Sequence, residues 1–150
     1  DIKFIARRIM ICASEDVGNA DPRALQVAVA AQQAVHLLGM PEARIPLSQA
    51  AIYVACAPKS NASYMAVGNA QRSVKEKKTS VPGHLMNIHA NGYGDEEKAV
   101  GYKYAHDYPN HYVEQQYLPS EIEGKIFYEP SENGYEKVIR QYFETVGKKK

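Results

Sequence analysis

Cysteine is scarce in this 150-residue chain, charge of either sign is not in surplus, and no apolar run is long. The two cysteines, Cys12 and Cys56, exclude a disulfide scaffold and a Cys-rich zinc centre and suit a reducing cytosol. Both fall in apolar helical patterns, which predicts burial, whereas a catalytic thiol needs an exposed, electropositive setting. Lys and Arg number eight against five Asp and Glu in residues 1–75, and ten against twelve in 76–150. That balance argues against a dedicated nucleic-acid or membrane-surface module. No stretch approaches the roughly 20 apolar residues of a membrane span. A phosphate-cradling Gly-x-x-x-x-Gly-Lys-Ser/Thr loop is also missing: Gly124-Lys125 is followed by Ile126, and Gly92-x-Gly94 lacks the third glycine and a preceding strand. ATP hydrolysis is therefore not expected of this chain. It opens Asp1-Ile2-Lys3, without Met, leader pattern or tag, and reads as a piece of something longer.

What is present is helix. Ile2, Ile5, Ile9 and Cys12 are helically spaced, with Gly18 as a stop. Asp21-Pro22 starts a second helix, because Asp can cap free N–H groups and Pro tolerates the first turn; Gly39 ends it after Leu38. This second helix is apolar almost all round, as is a third opened by Pro46 and closed before Pro58, so both are expected at the centre. A fourth runs from Ser60 through Tyr64, Met65, Val67 and Val74 to cations at 75–78 that complement the helix dipole. In the last, capped by Ser131, Tyr135, Val138, Ile139, Tyr142, Phe143 and Val146 form one stripe, and Gly147 stops it.

Between 87 and 130 helical period disappears and seven of the eleven tyrosines gather. Such aromatics predict an ordered region with buried rings, and the stretches 101–105 and 125–128 predict a two-stranded ribbon. The fold expected is mainly α: one domain, with a helical core over 1–90, a Tyr-rich loop and small β-ribbon over 91–130, and a final helix over 131–147.

His84 and His89, and likewise His106 and His111, are five apart, with Asp107 beside the second pair. Zinc needs three or four converging ligands. The plainer expectation is that His84 and His106 bond loop backbone, and no metal or cofactor site is assigned. Arg7 and Arg8 lie near Glu15 and Asp16, which predicts ion pairs that fix helix crossing. Arg7, Arg8, Lys75, Lys77 and Lys78 are the candidates for DNA contact, against the alternative of ordinary solvated faces. Leu25, Val29, Leu37, Ile52, Tyr53, Tyr64, Val138 and Tyr142 are the candidates for core and oligomer interface. So much apolar helix exceeds what 150 residues readily cover, and self-association is the natural outlet.

Several strings carry a resemblance. They are IARR at 5–8, ASEDVGNADPRAL at 13–25, GMPEARIPLSQAAIYVACAPKSNASY at 39–64, Val81-Pro82 with His84-Leu85, GYKYAHDYP at 101–109, YLP at 117–119 and YEPSENGYE at 128–136. In order and separation they resemble the C-terminal part of the replication-associated recombination protein A (RarA, or MgsA) family of AAA+ ATPases, which includes the eukaryotic Werner helicase-interacting protein. The resemblance implies a helical tetramerisation domain without its ATPase motor, hence no catalytic residue here. It places ATP and Mg in the parent protein. It implies partnership with copies of itself, with DNA and replication proteins through the parent, and no membrane, in bacterial cytoplasm at the nucleoid. Residues 88–97 depart from the family pattern of an Asn-Ala-Pro-Thr-Lys-like string and a Gly-Tyr-Gly-Lys turn: Asn87 is followed by Ile88-His89-Ala90-Asn91-Gly92-Tyr93-Gly94 and then by Asp95, Glu96 and Glu97, three carboxylates that would repel DNA phosphate.

Overall fold

The computed structural model describes residues 1–86 and 101–147. Its contacts divide the chain into two units, one of Asp1–Gly68 with Phe127–Lys150 and one of Asn69–Ile126.

In the first unit, α1 spans Ile2–Cys12; the Asp1 carboxylate caps it, accepting from the N–H groups of Lys3 and Phe4 at 2.9 and 3.4 Å. The chain continues through a π turn, Ala13–Val17, and a 3-10 turn, Gly18–Ala20. Gly18 has φ +51, and a Cβ there would meet the Ser60 carbonyl at 2.8 Å, so this turn needs glycine both for its conformation and for the close approach. Helix α2 covers Arg23–Leu38 and α3 Arg44–Cys56. Asp21-Pro22 and Gly39 bound α2 as their chemistry predicts.

The core is built from small side chains. Helix α2 buries Ala24, Ala28, Ala31 and Val35, spaced four, three and four apart; α3 buries Leu47, Ala50 and Val54. Of these, Ala24, Ala28 and Val54 meet Ala13 and Val17 in one cluster, and Val35 and Leu47 meet Ala6 and Ala43 in another. Alanine lets helix axes approach closely, and this sets which face turns inward. The expectation of two helices hidden all round is therefore corrected: Leu37 is 85% exposed, Ile52 62% and Leu25 41%, and Ile5 also faces out. Large side chains do not fit between helices packed on alanine.

Helix α4 spans Ala62–Glu76, and its first N–H is met by the Ser60 hydroxyl at 3.2 Å. Tyr64, Met65, Val67 and Val74 are all exposed. Helix α5 spans Glu136–Thr145, beginning five residues after Ser131; that residue's hydroxyl instead accepts from Asn133 N–H in the preceding turn. Gly147, at φ +70, follows α5 as expected.

In the second unit, beyond the last turns of α4, short 3-10 turns lie at Gly83–Leu85, Ala105–Asp107, Pro109–His111 and Ser120–Ile122, and Val113 and Ile122 are buried. Among the described residues there is no strand, so the two-stranded ribbon is corrected. The backbone at Lys103 is paired with a side chain instead of a neighbouring strand. Its N–H donates to Gln115 Oε1 at 3.1 Å, and its carbonyl accepts from Gln115 Nε2 at 3.0 Å. One primary amide thus supplies the two-point bond a ladder would have made. Tyr102, Tyr104, Tyr108 and Tyr117 are exposed, contrary to the buried rings expected. Residues 87–100, including Gly92, Tyr93, Gly94, His89 and the divergent acidic stretch, lie outside the described residues, as do 148–150.

Candidate functional site

Three distant segments of the first unit converge in a polar clasp. Asp16 carbonyl accepts from Ser60 N–H at 2.8 Å, Ala20 carbonyl from Tyr135 N–H at 2.8 Å, and Lys59 carbonyl from Asn133 Nδ2 at 2.9 Å. Gly134, at φ +52, seats the third segment so tightly that a Cβ would overlap the Ala20 oxygen. At the centre is Glu136, fully buried. Its carboxylate accepts from Tyr128 OH at 2.8 Å and from Ser131 N–H at 2.7 Å, and Asn19 Nδ2 donates to the Tyr128 oxygen at 3.3 Å. Burial pushes the Glu136 carboxyl up, but hydrogen bonds from Ser131, Ser60 and Tyr128 outweigh it and hold the group below the ordinary glutamate value. Burial, with the neighbouring carboxylate, pushes the Tyr128 hydroxyl up to about 12 against the lowering bond from Asn19. Each Glu136 carboxylate oxygen thus accepts from a residue of the segment ahead of α5, and the buried group joins Tyr128 and Ser131 to the first turn of that helix.

A second polar joint ties α2 to α3. Asp21 accepts from Arg23 Nε at 3.0 Å, from Arg23 N–H at 3.1 Å and from Tyr53 OH at 2.8 Å. The Arg23 bond does most to lower the Asp21 carboxyl, against burial. Lys59 closes the C-terminal end of α3, donating to the carbonyls of Val54, Ala55 and Ala57. All three of its N–H bonds are thereby used. The open cleft beside it, about 470 Å³, is lined by Cys12, Asp16, Lys59, Ser60 and Asn61. The Cys12 thiol is pushed up, first by its hydrogen bond to Asp16 and then by burial, which disfavours thiolate. Cys56 is exposed, contrary to expectation, and Cys12 is only half-buried.

The candidate DNA contacts fall in both units. Arg7 and Arg8 stand exposed on α1 in the first unit; Lys75, Lys77 and Lys78 belong to the second, where Lys77 Nζ donates to the Glu121 carbonyl at 3.0 Å. Among the described residues no ion pair joins Arg7 or Arg8 to Glu15 or Asp16. These carboxylates lie past the last turn of α1, while Arg7 rests over the Phe4 ring at 5.3 Å. His84 Nε2 donates to the Gln116 carbonyl at 2.8 Å, as predicted, whereas the His106 ring packs between Tyr104 and His111 at 5.0 Å each. Among the described residues no three His, Cys, Asp or Glu side chains converge for a metal, and no helix is long and apolar enough to cross a membrane.

None of the eight core or interface candidates is fully buried. Leu25, Leu37, Ile52, Tyr64, Val138 and Tyr142 are exposed; Val29 and Tyr53 are half-buried. An open apolar groove of about 530 Å³ lies between α1 and the start of α4, lined by Met10, Ile11, Leu25, Tyr64 and Val67 with Arg7 and Glu15. A second group, Leu37, Leu38, Met40 and Ile45, gathers about the α2–α3 turn. Sequence reasoning missed Asn19, Tyr128 and Glu136; their signal lay in the polar strings, not in periodicity.

Small-residue helices locked by polar joints, with large apolar groups left outside, define a mainly helical domain. The chain belongs to the family described as MgsA AAA+ ATPase C terminal, whose profile it matches over residues 1–147. It is 50% identical over 140 residues to an AAA domain-containing protein of Mycobacterium tuberculosis, covering 93% of this chain and 31% of that protein. To proteins named Replication-associated recombination protein A it is 38% identical in Bacillus subtilis, over all of this chain and 36% of the relative, and 43% in Escherichia coli K12, over 91% and 31%. The chain spans about a third of the length of these relatives.

Proposed function

We propose that this chain holds copies of an AAA+ ATPase together as a tetramer, so that several motor modules act on one DNA structure at high effective concentration. The observation that carries this reading is the distribution of apolar side chains. The interior takes chiefly Ala and Val, and Leu37, Leu38, Met40, Ile45 and Ile52 are left in water on well-formed helices and the turn between them. Large exposed apolar side chains gathered in this way mark surfaces that meet another protein. The relatives' names supply the setting, replication and recombination. On this reading the chain itself catalyses nothing. ATP and Mg belong to the motor of the longer protein, and DNA and other replication proteins are met through it, in the cytoplasm at the nucleoid.

Light scattering across micromolar concentrations tests the reading. A mass of four chains is expected; a monomer at every concentration refutes it. A DNA-contact module is the second reading, suggested by exposed Arg7 and Arg8 on one helix. It requires a salt-sensitive shift of single-stranded or forked DNA that fades on replacing those two residues.

A further inference from the structure

Helix α1 has two working sides. One packs Ile2, Ala6 and Ile9 inward, followed by Ala13. The other presents Phe4, Arg7 and Ile11, with Glu15 following, at spacings of three and four that place them in a row. Leu25, Tyr64 and Val67 complete the apolar groove beside that row. Arg7 and Glu15 stand four residues either side of Ile11, Arg7 on α1 and Glu15 in the π turn that continues it. Among the described residues neither has an ion-pair partner.

This row is complementary to itself when reversed. A two-fold axis near Ile11 sets Arg7 of one copy against Glu15 of the other, and the same contact recurs by symmetry. The axis also lays Ile11 on its equivalent and covers the apolar lining. A parallel arrangement would set arginine against arginine. We propose that the occupant of this groove is the same groove of a second copy, antiparallel, in an isologous contact. The inference rests on the self-association reading and specifies one of its surfaces. With the apolar group about the α2–α3 turn as a second isologous contact, its two-fold axis crossing the first at right angles, four copies close into a tetramer.

The test is Arg7→Glu and Glu15→Arg, separately, combined in one chain, and as a mixture of the two single variants, with mass followed by light scattering. Each single variant sets like charges together twice and is expected to weaken the contact at least tenfold, turning tetramer into dimer. The double variant restores opposite charges and the tetramer. So does mixing, because one chain then carries carboxylates at both positions and meets a chain that carries guanidinium groups at both. Recovery on mixing also shows that each single variant is folded. Wild-type mass in either single variant, or no recovery in both the double variant and the mixture, overturns the inference and leaves assembly itself standing. A wild type that is monomeric throughout refutes the assembly reading instead.

Discussion

Replacing Glu136 separates the clasp from every other feature of the first unit. In Glu136→Ala, Ser131 N–H loses its 2.7 Å acceptor and Tyr128 OH its 2.8 Å acceptor. Each donor orphaned away from water costs roughly 1–3 kcal/mol, and the lost methylene adds about 0.8 kcal/mol before any cavity term. The expected destabilisation is roughly 3–7 kcal/mol, a fall in Tm of about 6–28 °C for a chain of this length. Glu136→Gln keeps the shape but turns an NH2 toward one of the two donors, and should cost roughly half as much. Acid dependence gives an independent check. The folded carboxyl is held below the ordinary value of 4.5, so its stabilisation is fully present above that pH and is lost as pH falls through the lowered folded value. The gap in urea midpoint between wild type and Glu136→Gln should therefore be constant near neutrality and narrow below pH 4.5. An alanine variant within about 0.5 kcal/mol of wild type at pH 7, the scatter of ordinary surface changes, would refute the clasp.

Two further outcomes follow from local geometry. Gly134→Ala should destabilise by more than about 3 kcal/mol, because its Cβ would overlap the Ala20 oxygen and approach Pro58 Cγ at 2.8 Å. Gly39→Ala, at φ +66 and ψ −177 with nothing within 4 Å, should cost only the strain of a backbone region essentially confined to glycine, roughly 1–3 kcal/mol; urea midpoints of the pair check both. Ellman's reagent at about pH 8 should label exposed Cys56 first, with the half-buried, Asp16-bonded Cys12 lagging, and equal rates would contradict the described environments.

Local signals located most helices because they act over a few residues. Asp21-Pro22 and Gly39 mark the ends of α2 through capping chemistry that needs no knowledge of the rest of the chain. Periodicity fails where nearly every position is apolar. In α2 it cannot choose a face, and the choice falls to Ala24, Ala28 and Ala31, whose small size permits close packing. The ribbon misread has a different cause. An extended segment at 101–105 needs backbone partners, and strand propensity does not reveal that the Gln115 amide provides them. Glu136 is hidden for a third reason: at the first position of α5 a glutamate suits the helix dipole in water, and only the approach of Tyr128 and Ser131 makes it a buried anchor.

The strings that carry the resemblance hold residues of the two polar joints and, equally, Arg7, Glu15, Leu25, Met40, Ile45, Ile52 and Tyr64 of the surface. Gly18, Asn19 and Asp21 lie in 13–25, Lys59 and Ser60 in 39–64, and Tyr128, Asn133, Gly134 and Glu136 in 128–136. Each has a specific demand on it: a positive φ, a backbone approach that excludes Cβ, or donors and acceptors that must be matched in number. An apolar surface has no such demand, since several side chains of similar size cover equal area. The two kinds of position should therefore fail differently. Substitutions in the clasp should lower the stability of the chain at any concentration. Substitutions at Arg7, Glu15 or Leu37 should leave the fold intact and shift only the concentration at which copies associate, because their partners lie on another molecule.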